Sequence, residues 1–476
     1  MNLAALPGIQ VRGLAYDSRQ VTPGDVFIAL KGLKAAGADF ASDAIRRGAV
    51  AVVADRPPAA PTSVPWVVVP DARAAMAGLA AEFYGHPSRS MQVVGITGTN
   101  GKTTTAYLLR AVFESAGKKC GLLGTVTYSV GDRELPASRT TPEAPDVQRL
   151  FREMVDTGCV ACAMEVSSHA LALHRVDHTE FAAGIFTNLT RDHLDYHGDM
   201  ESYFTAKRRL FEMLPVGAPA VINLDDPRGE LLRRAAPVPM TYAINKSADV
   251  TPGPLTLTFN GLEFEARTPK GAVHVRSPLV GRPNVSNILA TVAAATALDL
   301  PAGAIERGLA NLAGVPGRFE LVSSAADDIT VVIDYAHTDD ALKNLLETAR
   351  PLAPRRVITV FGCGGDRDRT KRPLMGAVAA RLSDVVVMTS DNPRTEDPAR
   401  IIEEIKRGVP PTSDRRAATF AIVDRREAIE FAIRKAESGD LVLLAGKGHE
   451  RTQVIGAEEL PFDEAAIARD ALERRR

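Results

Sequence analysis

The stretch Gly95-Ile-Thr-Gly-Thr-Asn-Gly-Lys-Thr-Thr-Thr105 decides the fold of the central part of the chain. It joins the apolar strand pattern Met91–Thr97 to the helical pattern Ala106–Ser115. Glycines let the backbone wrap closely around phosphate groups, and the helix N-terminus points its free N–H groups at the anion. The sequence therefore predicts a nucleotide-binding phosphate loop, in which Lys102 neutralises phosphate charge and the Thr103 hydroxyl binds Mg²⁺.

A tight strand-to-helix turn without a ligand is the alternative interpretation of this loop. Its spacing departs from the strict phosphate-loop rule, because Ile96 occupies the first glycine position and Gly95 lies one residue earlier. The Gly-Lys-Thr triplet between a strand and a helix favours phosphate binding over the simple turn.

Three α/β units are predicted along the 476 residues, over 1–88, 89–315 and 316–476. Pro- and Gly-containing linkers at His86–Ser90 and Gly314–Phe319 separate them. In the middle unit, period-two alternation around Asn260-Gly261 predicts a β-hairpin with its turn at that dipeptide. In the last unit, Gly or Asp/Asn clusters follow buried strands, at the sheet edge where open parallel sheets bind ligands.

The overall composition excludes several classes of protein. Lys and Arg total 57 against 58 acidic residues, so no global field favours nucleic acid or an anionic membrane. Four cysteines favour a reducing compartment, and Cys159 and Cys162 lie in an apolar run that favours buried thiols over a zinc site. The sequence predicts neither a signal peptide nor a membrane span, so a cytoplasmic protein is expected.

A series of motifs resembles the Mur ligases and folylpolyglutamate synthetases over almost the whole chain. In family order these are Thr97–Thr103, Met164–His169, Thr187–Gly198, Asn284–Asn287, Asp334–His337, Gly362–Asp368, Asp391–Arg394 and Gly446–Glu450. The resemblance implies a three-domain Mur ligase architecture, with a phosphate-loop NTPase-like central domain and a Rossmann-like C-terminal domain.

The resemblance also implies two Mg²⁺ ions, held by Thr103, Glu165, His193 and a carbamylated Lys207. Glu165 ends an apolar strand, where an unpaired carboxylate is costly, so a metal, a helix cap or an Arg partner would each explain it. His193 alone would be interpreted as a structural histidine, and Lys207 alone as a solvated helix lysine.

The implied substrates are all small molecules. The residues expected at ATP, the co-substrate, are Gly98, Thr99, Asn100, Gly101, Lys102, Thr103, Thr104, Asn284, Arg318, Asp334 and His337. Those expected at the uridine-nucleotide-linked muramyl peptide are Ser18, Thr140, Thr141, Ser167 and Arg175. Four positions depart from the family pattern, namely Leu33, Ala36, Leu173 and Asp339.

The segment Asp391-Asn-Pro-Arg394 is expected to select the incoming amino acid. Asp, Asn and Pro favour a turn, which would hold Arg394 rigidly for bidentate hydrogen bonding to a carboxylate. Meso-diaminopimelate carries a second carboxylate and lysine does not. The full set expected at the amino acid is Arg367, Asp391, Asn392, Pro393, Arg394, Gly446 and Glu450.

The expected activity is ATP-dependent addition of meso-diaminopimelate to the D-glutamate of UDP-N-acetylmuramoyl-L-alanyl-D-glutamate through an acyl phosphate, by a cytoplasmic monomer. A lysine-adding relative and a folylpolyglutamate synthetase are the enzymatic alternatives. A phosphate-loop protein that uses nucleotide only to change shape is the non-catalytic alternative.

Overall fold

The N-terminal part of the chain folds around a four-stranded parallel sheet in the order β1-β2-β3-β4. The computed structural model describes residues 8–32, 36–411 and 417–476. Helix α2 begins after Asp71, whose carboxylate accepts hydrogen bonds from two backbone N–H groups of its first turn. The elements are β1 (Gly13–Ala15), β2 (Asp25–Ala29), α1 (Ala41–Arg46), β3 (Ala51–Ala54), β4 (Trp66–Val68) and α2 (Ala72–Phe83).

The central part is built on an eight-stranded sheet in the order β12-β11-β10-β5-β9-β6-β7-β8. Strands β12 to β6 in this order run parallel, and β7 and β8 are antiparallel additions at one edge. The elements are β5 (Gln92–Thr97), α3 (Lys102–Ser115), β6 (Cys120–Leu123), β7 (Thr127–Val130), β8 (Arg133–Pro136), α4 (Ala144–Asp156), β9 (Ala161–Glu165), α5 (Ser168–Ala172), β10 (Phe181–Phe186), α6 (Leu194–His197), α7 (Met200–Glu212), β11 (Ala220–Asn223), α8 (Gly229–Ala235) and β12 (Pro239–Tyr242).

A small antiparallel sheet and two helices complete the central part. They are β13 (Thr251–Pro252), β14 (Thr256–Thr258), β15 (Gly261–Thr268), β16 (Gly271–Ser277), α9 (Arg282–Ala297) and α10 (Ala302–Asn311). The predicted hairpin exists as β14 and β15, but its turn is wrong by one residue, because Thr258 pairs with Gly261 and the loop is Phe259-Asn260. Gly261 is instead the first strand residue, where a Cβ would lie 2.1 Å from the Ser277 carbonyl oxygen.

The C-terminal part has a six-stranded sheet in the order β17-β18-β22-β19-β20-β21, parallel except for β17. Its elements are β17 (Glu320–Leu321), β18 (Thr330–Asp334), α11 (Asp339–Ala349), β19 (Val357–Phe361), α12 (Lys371–Leu382), β20 (Val385–Met388), α13 (Pro398–Lys406), β21 (Ala418–Ala421), α14 (Arg425–Lys435), β22 (Leu441–Ala445), β23 (Thr452–Ile455), β24 (Glu458–Pro461) and α15 (Glu464–Glu473). Helices pack on both faces of this sheet, as the buried runs of its strands predict.

The sequence correctly predicts the α/β class and the burial of two cysteines. Cys159 and Cys162 are free and buried in the central core. Within the described ranges, no helix is long and apolar enough to cross a bilayer. The predicted boundary at 88/89 falls in the short 3₁₀ turn Pro87–Ser90, and that at 315/316 falls between α10 and β17. The exact domain limits stay a prediction.

We expect Leu109→Ala to reduce the free energy of unfolding of the central part by about 2–5 kcal/mol, because it leaves a cavity in a packed core. Leu109 is fully buried on α3, in one cluster with apolar side chains of α9 and α10. Leu231→Ala on α8 is the matched control, since Leu231 is 48% exposed. Urea denaturation of both variants measures the difference, and equal losses of stability would contradict the described core.

Candidate active site

Three neighbouring strands of the central sheet end at one edge and supply the site. They are β10, β5 and β9, which lie side by side in parallel. Strand β5 leads into the phosphate loop, β9 ends on Glu165, and β10 leads into the segment that contains Asp192 and His193. The C-terminal part closes the cleft from the other side. The residues that line it include Thr99, Asn100, Gly101, Lys102, Thr103, Thr104, Thr140, Glu165, Ser167, Asp192, His193, Asn284, Arg318, Asp334 and His337.

The phosphate loop has the predicted strand–loop–helix geometry. Gly101 precedes α3 with a φ of 87°, a left-handed conformation that glycine adopts without strain. The Lys102 Nζ donates hydrogen bonds to the carbonyl oxygens of Gly98 (3.0 Å) and Thr99 (2.9 Å). Burial lowers the pKa of Lys102, while the negative charges of Glu165 and Asp192 act in the opposite direction. The ammonium is thus held at the entrance of the helix, where bound phosphates would lie.

Lys207 is not the solvated lysine that its local sequence suggests. Its side chain on α7 is 1% exposed, and its Nζ donates to the same Gly98 carbonyl oxygen at 2.7 Å. The Nζ also lies 4.5 Å from the ring centre of Tyr203. Burial, and then the nearby charge of Lys102, lower the pKa of Lys207 well below its ordinary value.

Glu165 has a partner that the sequence did not suggest. Its carboxylate accepts hydrogen bonds from the Thr125 backbone N–H (2.7 Å) and from the Thr125 hydroxyl (3.1 Å). Neither a helix cap nor an Arg partner is needed to explain its burial. No motif marks Thr125 in the sequence, because only the pairing of β6 with β9 places it beside Glu165.

His193 lies at the start of α6 in a left-handed conformation, with a φ of 54°. Desolvation lowers the pKa of its ring to about 3, although the Asp192 charge acts to raise it. The imidazole is therefore neutral at pH 7, the form that can bind a metal. Asp192 also lines the cleft and was not predicted as a site residue.

The predicted magnesium ligands are only partly assembled in the cleft. Thr103, Glu165 and His193 line it. The oxygens of Thr103 and Glu165 are of the kind that Mg²⁺ prefers, and His193 offers a ring nitrogen. Lys207 lies behind the loop, and an ammonium cannot bind a cation; a carbamate at this position would add the missing oxygen ligand. In the described part of the chain, no three His, Cys, Asp or Glu side chains group in a way that could hold a metal. The donor set fits magnesium only with the modified lysine included.

Contacts across the domain junction bring the C-terminal part onto the phosphate loop. Arg318 donates from Nη2 to the Thr103 hydroxyl at 3.1 Å, and Asn100 donates from Nδ2 to Asp340 Oδ2 at 3.0 Å. Asp340 was not predicted, and its role depends on contact between residues 240 positions apart. The site is therefore shared between the two parts of the chain.

Two residues predicted to bind the nucleotide form hydrogen bonds within the C-terminal part. The Asp334 carboxylate accepts hydrogen bonds from the backbone N–H groups of Phe319 and Ala336, both at 2.8 Å, and so shapes the linker end. The His337 Nδ1 lies 2.9 Å from the Tyr335 carbonyl oxygen. Asp339 takes the first position of α11, which proline also favours, so this departure leaves the loop shape intact.

The residues predicted at the muramyl peptide lie beside Glu165. The Thr141 hydroxyl donates to the Glu165 carbonyl oxygen at 2.8 Å and accepts from the Ser167 N–H at 3.1 Å. Arg175 was expected to meet a substrate anion, but it is buried and its guanidinium already pairs with Glu143 at 2.9 Å.

Ser18 was also predicted for this substrate, and Leu33, Ala36 and Leu173 are positions that depart from the family pattern. Ser18 is buried in the N-terminal part and does not line the cleft. Leu173 ends α5, Ala36 bridges to Lys31, and Leu33 lies outside the described residues. The structure leaves the roles of Ser18 and Arg175 as predictions.

The four motifs of the C-terminal part meet at one sheet edge, because β18, β22, β19 and β20 are parallel neighbours. Arg394 and Arg367 both pass over Gly364, where a Cβ would lie 3.0 Å from Arg394 Nη1 and 3.7 Å from Arg367 Cγ. Burial, and then the Arg367 charge, lower the pKa of Arg394. Neither guanidinium forms an ion pair with any acidic side chain in residues 8–32, 36–411 and 417–476. Two adjacent guanidiniums without an ion-pair partner could bind an anion.

The rest of this pocket surrounds Asn392. Its amide Nδ2 donates to Glu450 Oε2 at 2.9 Å, which joins two predicted residues. Asp391 is buried beneath them; desolvation opposes its ionisation, but the charges of Arg425 and Lys447 prevail and lower its pKa. Gly446, with a φ of 116°, and Pro393 complete the predicted set.

Family models match all three parts of the chain. Residues 10–84 match the Mur ligase family catalytic domain, 96–295 the Mur ligase middle domain, and 317–448 the Mur ligase glutamate ligase domain. The chain belongs to the Mur ligase family. The architecture implied by the sequence motifs is thereby confirmed.

Several Mur ligases of similar length resemble this chain. The UDP-N-acetylmuramoyl-L-alanyl-D-glutamate–2,6-diaminopimelate ligase of Geobacillus thermodenitrificans is 48% identical, and the match covers 100% of this chain and 99% of that protein. The protein of the same name from Geobacter metallireducens is 49% identical, with 96% and 93% covered.

Solved structures of Mur ligases show the same fold. A structure of a UDP-N-acetylmuramoyl-L-alanyl-D-glutamate–2,6-diaminopimelate ligase is 34% identical, with a TM-score of 0.68 over 98% of this chain and 95% of that one. The MurF ligase of Thermotoga maritima in complex with ADP is 20% identical, with a TM-score of 0.68 over 98% of this chain and 100% of that one.

We expect Lys102→Met to weaken ATP binding by about ten- to a hundredfold, because a charge-assisted contact contributes roughly 1.5–3 kcal/mol. Lys118→Met is the matched control, since Lys118 lies beyond the far end of α3 and its Nζ donates to Gln92. Titration with a fluorescent ATP analogue measures both affinities. Equal affinity of the Lys102 variant and the wild type would contradict the assigned phosphate loop.

Proposed function

We propose that this Mur ligase forms the amide bond between UDP-N-acetylmuramoyl-L-alanyl-D-glutamate and meso-2,6-diaminopimelate, with ATP as co-substrate, in peptidoglycan biosynthesis. The observation that carries the choice of amino acid is the pair Arg367 and Arg394, whose guanidiniums lie side by side and form no ion pair with an acidic side chain among the described residues. The distal carboxylate of diaminopimelate would neutralise them, and lysine has no such group.

The proposed reaction has two steps, each handled by one side of the cleft. The phosphate loop and Lys102 hold the ATP phosphates, and the terminal phosphoryl group passes to the D-glutamyl carboxylate to give an acyl phosphate. The diaminopimelate amine then attacks the acyl carbon, the amide forms and phosphate leaves. Arg318, through its contact with Thr103, keeps the C-terminal part against the loop while both substrates are bound.

Magnesium would be held by Thr103, Glu165, His193 and a carbamate on Lys207. When bound, such ions supply positive charge that stabilises the transferring phosphoryl group. The residues of the chain support this proposal in two ways. The lowered pKa of Lys207 leaves its amine neutral more often, and only a neutral amine adds to carbon dioxide. The lowered pKa of His193 keeps a nitrogen lone pair free for a ligand.

The alternatives fit the chain less well. A lysine-adding ligase would leave both arginines of the pocket without a counter-charge. The folylpolyglutamate synthase of Mycobacterium tuberculosis covers 78% of this chain at 19% identity, so that likeness concerns the fold alone. A nucleotide switch would not need a second, amino-acid-sized charged pocket at the junction. A monomer in the reducing cytoplasm is also part of the proposal, and the four free buried cysteines support the reducing compartment.

We expect Lys207→Ala to abolish ligation and added formate or acetate to restore part of it, because these anions can substitute for a carbamate. The measurement is phosphate release with all three substrates, with and without formate or acetate at roughly 50–200 mM, the range in which weak sites fill. Arg208→Ala on the same helix is the control, since Arg208 only pairs with Glu212 at the surface. Full activity of Lys207→Ala without any additive would refute the carbamate.

We expect Arg394→Ala to raise the KM for diaminopimelate by about one to two powers of ten, from the loss of a contact of roughly 1.5–3 kcal/mol. The KM values for ATP and the nucleotide-linked peptide should change little, since other segments bind them. Arg394→Lys should recover only part of the loss, because an ammonium cannot form the planar two-bond contact.

Arg400→Ala is the matched control for Arg394, because Arg400 is an exposed arginine of α13 in the same part of the chain. Initial rates with diaminopimelate and with L-lysine complete the experiment. Equal use of the two amino acids by the wild type would overturn the role of Arg394.

A further inference from the structure

One lysine of the C-terminal part is completely buried beneath the amino-acid pocket. Lys447 has 0% exposure, and it lies between Gly446 and Gly448 in the turn that follows β22. Its Nζ donates to Asn392 Oδ1 at 3.0 Å and to Glu450 Oε2 at 3.2 Å. Burying a lysine costs free energy unless it is paired, so these contacts with two residues of the pocket require an explanation.

Asn392, Glu450 and Lys447 form a closed set of hydrogen bonds. The Asn392 Oδ1 accepts from Lys447 and also from the Val454 backbone N–H at 3.0 Å, so the oxygen of the amide must face these two donors. The Nδ2 is thereby turned toward Glu450, where it donates to Oε2. Glu450 Oε2 thus receives two donors from the protein, and Oε1 is left to meet a substrate ammonium.

Lys447 also decides the balance of charge beneath the pocket. Arg367, Arg394, Arg425 and Lys447 are four cations, and the four carboxylates that interact with them are Asp366, Asp391, Glu450 and Glu464. The two sets balance only when Lys447 is present. Without its charge the pocket would be net negative, which favours an amino acid that brings an additional ammonium over one that brings an additional carboxylate.

We propose that Lys447 is a positioning residue for the amino-acid substrate, which holds Asn392 and Glu450 in their binding orientation and keeps the pocket selective for a diamino acid with a second carboxylate. This inference rests on the proposed ligase function. Lys447 does not touch the substrate, since its side chain is sealed from the cleft by the residues that it holds.

The test is Lys447→Met in the full-length enzyme, which keeps the length of the side chain and removes its charge. We expect the KM for diaminopimelate to rise about tenfold or more, from the loss of charge-assisted hydrogen bonds, and the preference for diaminopimelate over L-lysine in kcat/KM to fall. The KM values for ATP and the nucleotide-linked peptide should stay within about twofold of the wild type.

Arg356→Met is the matched control. Arg356 is a paired cation of the same sheet, but its partner Asp440 lies at the opposite edge, before β22. This variant should leave the diaminopimelate KM and the amino-acid preference unchanged. Wild-type values for Lys447→Met, or an equal loss for all three substrates, would overturn the positioning role.

A second comparison tests the inference in case the Lys447→Met variant does not fold. Glu450→Gln and the double variant Lys447→Met/Glu450→Gln are compared, since removing both partners of a buried pair costs less than removing one. Because Lys447 acts through Glu450 and Asn392, part of its effect is already lost in Glu450→Gln, and we expect the double variant to raise the diaminopimelate KM by less than about tenfold beyond the single variant. A further tenfold loss in the double variant would refute the inference.

The wild type separates this inference from the proposed function. A wild type that does not ligate diaminopimelate would contradict the proposed function itself. A wild type that does, beside an unaffected Lys447→Met, would contradict only the role of Lys447.

Discussion

Two buried lysine side chains donate hydrogen bonds to one backbone carbonyl oxygen, and the geometry of the nucleotide site depends on this contact. Lys102 reaches the Gly98 oxygen from the phosphate loop, and Lys207 reaches it from α7. Like charges repel strongly in an environment of low dielectric constant, and a carbonyl dipole offsets only part of that repulsion. The site therefore has a deficit of negative charge, which bound phosphates on the cleft side, or a carbamate on the α7 side, would remove.

The C-terminal part contributes to the same site, because the carboxyl ends of its strands face those of the central sheet across the cleft. Hydrogen bonds cross this junction from Arg318 to Thr103, from Asn100 to Asp340, and from Arg191 to both Asp368 and Thr370. Asn100, Thr103, Arg191, Asp340 and Asp368 lie in loops that follow strands or at the start of the next helix, whereas Arg318 lies in the linker before β17. An activated carboxylate on one side and an amine on the other can thus meet without leaving the cleft.

The sequence was informative wherever one segment carries its own physical signal. The phosphate loop, the buried strands and the Asp391–Arg394 turn are local patterns, and each lies in its predicted setting. Thr125, Asp340 and Lys447 carry no such signal, because their partners are distant in sequence or, for Lys447, because burial is decided by the surrounding fold. The predicted hairpin turn was wrong for a related reason. A glycine is needed at position 261 because the neighbouring strand β16 lies close to it, and not because the turn requires one.

The loop between β19 and α12 contributes neighbouring residues to two places, the pocket around Asn392 and the junction with the central part. Arg367 faces the amino-acid pocket, and the next residue, Asp368, contacts Arg191 in the segment that carries Asp192 and His193. The Arg191–Asp368 pair is partly exposed, so by itself it contributes little to stability. Its importance is geometric, because any movement of the loop changes the amino-acid pocket and the contact with the nucleotide side together. In the proposed function, the amino-acid pocket and the junction with the nucleotide side therefore share this loop.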